Sequence, residues 1–70
     1  MRRLTKRSLS LAGHATSVAL EPEFWTALEA LARFRGQSLA ALVASLDIGR
    51  GERPLASACR VAALEFAGSR

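Results

Sequence analysis

Along the 70 residues the spacing of apolar positions changes period once and is then interrupted twice. From His14 to Leu20, Thr16, Val18 and Leu20 alternate with Ala15, Ser17 and Ala19, the period of two expected of a strand with one buried face. After Pro22 the period becomes helical. Phe24, Trp25, Ala27, Leu28, Leu31, Ala32 and Phe34 share one broad half of a helical wheel, and Thr26, Glu29, Ala30 and Arg33 take the other. Pro22 suits the first turn because an N–H there has no intrahelical acceptor, and Glu21 and Glu23 flank the positive end of the helix dipole. Gly36 predicts a left-handed stop, with Arg33 and Arg35 complementing the negative end. Ser38 then caps a second helix, whose Leu39, Leu42, Val43 and Leu46 make a narrower stripe. The segment from Gly49 to Pro54 breaks the pattern, and Leu55, Ala58, Cys59, Ala62 and Phe66 resume it on a third helix ending at Gly68.

The result is a mainly α chain with one N-terminal β-strand, divided into a flexible arm (1–13), a strand-helix-helix domain (14–50) and a C-terminal extension with the third helix (51–70). A lone strand leaves its backbone N–H and C=O groups without partners. A chain this short also buries little apolar surface as a monomer. Two copies pairing their strands antiparallel about a twofold axis solve both problems, which predicts an intertwined homodimer with four helices behind a two-stranded ribbon.

Composition narrows the chemistry. Half the residues are apolar, too many for a disordered chain. The single cysteine, Cys59, excludes an intrachain disulfide, and one cysteine with one histidine makes no structural zinc site, so neither metal nor cofactor is expected. Cys59 reads as a small buried hydrophobe in an Ala-rich helix, consistent with a reducing cytoplasm. The net charge of +4 comes entirely from Arg2, Arg3, Lys6 and Arg7, which precede every acidic residue. Such an arm seeks a polyanion. Although Arg2 and Arg3 precede a leucine, the following stretch is too short and too polar for an export signal, and no apolar run is long enough to span a membrane.

The strand "TSVALEPEFW", the helix "TALEALARFRG" and the restart "QSLAALVASLD" together resemble the ribbon-helix-helix proteins of the Arc/MetJ type. The extension "PLASACRVAALEF" is similar to the third helix of a bacterial branch of that family. The resemblance implies a β-ribbon laid in the DNA major groove, with Ala15, Ser17 and Ala19 facing the bases. It also implies a phosphate held by the backbone at Gln37, Ser38 and Leu39. Arg2, Arg3, Lys6, Arg7 and His14 would add phosphate contacts. Thr16, Val18, Leu20, Phe24, Trp25, Leu28, Leu31, Leu39, Leu42, Val43 and Leu46 would form the dimer core. Of the three base-facing residues only Ser17 can hydrogen-bond a base, where family members usually carry longer polar side chains.

The expected function is that of a cytoplasmic DNA-binding regulator working on double-stranded DNA. The alternative is a protein-interaction module or antitoxin-like dimer that uses its ribbon or third helix on another protein. Trp25 reads as core, and Glu21, Glu23 and Glu29 as dipole-favoured or solvated carboxylates with no nucleophile beside them, so no enzyme is expected.

Overall fold

The computed structural model describes residues 3–69. Its elements run β1 (Thr5–Leu11), β2 (His14–Leu20), α1 (Pro22–Phe34), α2 (Leu39–Gly49) and α3 (Leu55–Gly68). The four elements from β2 onward lie where the periodicity places them. The correction is β1. Thr5 to Leu11 is not a flexible arm but a strand, and it pairs antiparallel with β2 over its whole length, from Thr5 opposite Leu20 to Leu11 opposite His14. The partner of β2 is therefore in its own chain, and the orphan strand no longer requires a second copy.

The hairpin turns on Ala12 and Gly13, whose φ values are 51° and 85°. Positive φ at both central residues of a two-residue loop gives the primed turn whose twist matches the flanking strands. Glycine adopts it freely, whereas alanine does so against the clash of its Cβ with the carbonyl that follows. The register then sorts the side chains. Arg7, Leu9, Leu11, Thr16, Val18 and Leu20 turn towards the helices, with Leu11, Val18 and Leu20 buried; Lys6, Ser8, Ser10, Ala15, Ser17 and Ala19 take the outer face.

Behind the ribbon, α2 packs against β1, α3 against β2, and the three helices against one another. The core they enclose joins Leu11, Val18 and Leu20 to Trp25, Leu28, Leu31 and Ala32 of α1, Leu42 and Val43 of α2, and Cys59 and Ala63 of α3. Residues expected at a dimer core thus form the core of one chain. Val18, Leu20, Trp25, Leu28, Leu31, Leu42 and Val43 are buried, while Thr16, Phe24, Leu39 and Leu46 are half-buried at its margin. Phe34 departs from the expected buried face. As the last residue of α1 it is 79% exposed, touching Phe66 of α3 at 5.7 Å between ring centroids.

The helix boundaries follow their local chemistry. Pro22 opens α1, and its C-terminus closes through Gln37 N–H donating to the Ala32 carbonyl at 2.8 Å, with Gly36 at φ 69°. Ser38 Oγ caps α2 by accepting from Ala41 N–H at 3.1 Å. Arg60 of α3 holds the Glu21 carboxylate at 3.0 Å and lies over the Phe24 ring, tying the third helix to the junction between β2 and α1.

The turn supplies a direct check. Ala12→Asn gives the loop an Asn-Gly pair suited to positive φ, and should raise stability by about 0.5–1 kcal/mol in urea unfolding. A neutral result would mean that residues 12 and 13 do not form this turn.

Candidate nucleic-acid interface

The outer face of the ribbon is assembled from both strands of one chain. Its cross-strand pairs are Lys6 with Ala19, Ser8 with Ser17, and Ser10 with Ala15. At its centre the Ser8 and Ser17 hydroxyls lie 3.2 Å apart on the exposed surface. Ala15, Ser17 and Ala19 thus share the face on which the sequence placed them, with Ala19 half-buried. Ser8 and Ser10 belong to the same face, although they are not among the residues expected there. Their signal is the alternation of Lys6, Ser8 and Ser10 with Arg7, Leu9 and Leu11, continuing that of β2 across a two-residue gap.

The basic residues divide by strand parity. Lys6 stands exposed on the outer face, beside the serines and not in a separate arm. Arg7, one position on, points inward. Its guanidinium lies 4.9 Å from the centre of the Trp25 ring and donates to Glu29 Oε2 at 2.8 Å, two contacts that hold it against α1. Trp25 is 1% exposed and donates its indole N–H to the Thr5 carbonyl at 2.7 Å, so the ring closes the open end of the hairpin against α1. Arg3 is exposed ahead of β1, and His14 is exposed at the turn end. Arg2 lies outside the described residues.

At the start of α2 the expected phosphate cradle changes in detail. Gln37 N–H is used in closing α1, and Gln37 Oε1 is buried with no hydrogen-bond partner among the described residues. An anion at this helix start would instead meet the N–H groups of Ser38, Leu39 and Ala40, since Ala41 N–H is taken by the Ser38 side chain.

The titrating groups with displaced pKa values are structural. A backbone hydrogen bond at Glu21 and then the Arg60 side chain hold the Glu21 carboxyl below its ordinary range. Burial pushes the Cys59 thiol up, against a smaller opposing effect of Arg60. Cys59 is fully buried and packs as a small core residue. Among the described residues no cluster of His, Cys, Asp or Glu could hold a metal ion, and no helix is long and apolar enough to cross a membrane.

A two-stranded ribbon backed by helices, with a polar outer face and a capped second helix, defines a ribbon-helix-helix domain. The family model described as a ribbon-helix-helix domain matches residues 4–67, and the chain belongs to that family. The match takes in β1 and α3 as well as the elements between them. Members are generally DNA-binding transcription regulators rather than enzymes. No curated protein and no solved structure matches the chain.

Strand parity gives two neighbouring cations different energetic weights. Arg7→Ala removes a half-exposed ion pair and a cation–π interaction, each worth under about 1 kcal/mol, and should destabilise the protein by about 1 kcal/mol in urea. Lys6→Ala should stay within about 0.5 kcal/mol of the parent. The reverse order would contradict the placement of the two side chains.

Proposed function

We propose that the protein is a transcriptional regulator that lays the outer face of its β1–β2 ribbon in the major groove of double-stranded DNA. The observation that carries this reading is the ribbon face itself: Lys6, Ser8, Ser10 and Ser17 stand on one side of a hairpin narrow enough for the groove, with no core function to occupy them. Arg3 and His14 lie near its two ends and supply phosphate contacts. The first-turn N–H groups of α2 add a further phosphate site. Ala15 and Ala19 offer only methyl contacts, to thymine. Affinity then comes largely from phosphates, and discrimination from few positions. The reducing environment suggested by an unpaired buried cysteine suits a cytoplasmic regulator.

Family members typically form dimers. With the ribbon completed inside one chain, a homodimer of this protein would join through its helices. There Phe34 is exposed beside a shallow groove lined by Leu31, Leu46, Ala62 and Phe66. The same groove supports the second reading, a protein-interaction role in which the helices and not the ribbon make the functional contact.

Salt separates the two readings. Binding of the full chain to random duplex, followed by fluorescence anisotropy, should weaken steeply as salt rises. Replacing Arg3 with alanine should flatten the slope of log K against log salt by about 0.9 for the phosphate that is no longer neutralised. Absence of binding to any duplex at low salt by the folded protein would overturn the DNA reading and leave the helix groove as the functional surface.

A further inference from the structure

We infer that each ribbon reads an asymmetric DNA element, with Lys6 setting base preference at one end alone; the inference rests on the ribbon being the DNA-binding face. When two copies contribute one strand each, a twofold axis passes through the ribbon and every base-facing residue appears twice, at equal distances from the centre. A hairpin has no such axis. Here Ser8 and Ser17 occupy the middle, Lys6 and Ala19 the open end, and Ser10 and Ala15 the turn end.

The two ends therefore differ in chemistry and not only in sequence. Lys6 is the one charged side chain among the six outer-face positions, and its flexible stem reaches well beyond the neighbouring serines and alanines. An ammonium group in the major groove favours guanine, whose O6 and N7 are both acceptors. At the turn end the Ser10 hydroxyl can donate or accept and the Ala15 methyl suits a thymine, so no cation repeats the preference of the open end. Along the ribbon the face runs from cation through paired hydroxyls to hydroxyl and methyl. From Lys6 to Ser10 the outer-face positions span about 13 Å, or about four base pairs. An element of that length read by this face differs from its own reverse complement.

The test is selection of duplexes from a pool with a randomised core, performed with the full chain and with Lys6→Ala. The expected core is non-palindromic and carries a guanine preference at one end. Lys6→Ala should relax that preference by roughly 5- to 100-fold while leaving the other positions unchanged. An inverted repeat of two such asymmetric cores also supports the inference, since each core then lies under its own ribbon. A single palindromic core, relaxed at both ends at once by Lys6→Ala, overturns it while leaving DNA binding intact. A core unchanged by Lys6→Ala also overturns it. Failure to bind any duplex removes both the inference and the DNA reading beneath it.

Discussion

The pairing of β1 with β2 through the Ala12-Gly13 turn is the constraint on which the rest of the molecule depends. It pairs one edge of β2 within the chain, so the N–H and C=O groups on that edge are already bonded without another subunit. It also brings Leu9 and Leu11 to the inner face beside Val18 and Leu20, enlarging the apolar surface the helices can cover. Without that surface a 70-residue chain has little with which to offset its conformational entropy. Trp25 links the hairpin to α1 twice over, through the buried ring and through its hydrogen bond to Thr5. Burial outweighs the polar contacts here: losing a buried Trp side chain costs about 3–5 kcal/mol, whereas the half-exposed Arg7–Glu29 pair contributes at most about 1 kcal/mol.

The same pairing decides which residues are available for function. Strand parity sends Arg7 inward to Trp25 and Glu29 and Lys6 outward, so two adjacent cations have different surroundings. On the outer face small hydroxyl and methyl groups prevail, leaving a low surface from which one lysine projects. The third helix contributes Cys59 and Ala63 to the core and reaches the β2–α1 junction through Arg60 and Glu21, which makes it part of the domain and not an appendage.

Much of this is legible in the sequence. Pro22, Gly36 and Ser38 mark helix boundaries through chemistry that is local, and the apolar periods of β2, α1, α2 and α3 match the elements formed. The first strand is hidden because its outward positions are Lys and Ser, which read as a solvated arm, and because an Ala-Gly turn lacks the Asn or Asp that announces a hairpin. Without that strand β2 is an orphan and points to a partner copy, which the intrachain ladder replaces. Phe34 departs from expectation for a simpler reason. Its wheel position faces the core, but it ends α1, where the layer beneath has run out.

Whether the ribbon is made by one chain can be observed directly. In a sample refolded from a mixture of isotope-labelled and unlabelled chains, filtered nuclear Overhauser spectra distinguish proton contacts within a chain from contacts between chains. The paired backbone of Ser8 and Ser17 should give cross-strand contacts within the labelled chain alone. Contacts between Ser8 and Ser17 seen only from labelled to unlabelled chains would show that the strands are exchanged between copies, contradicting the single-chain ribbon.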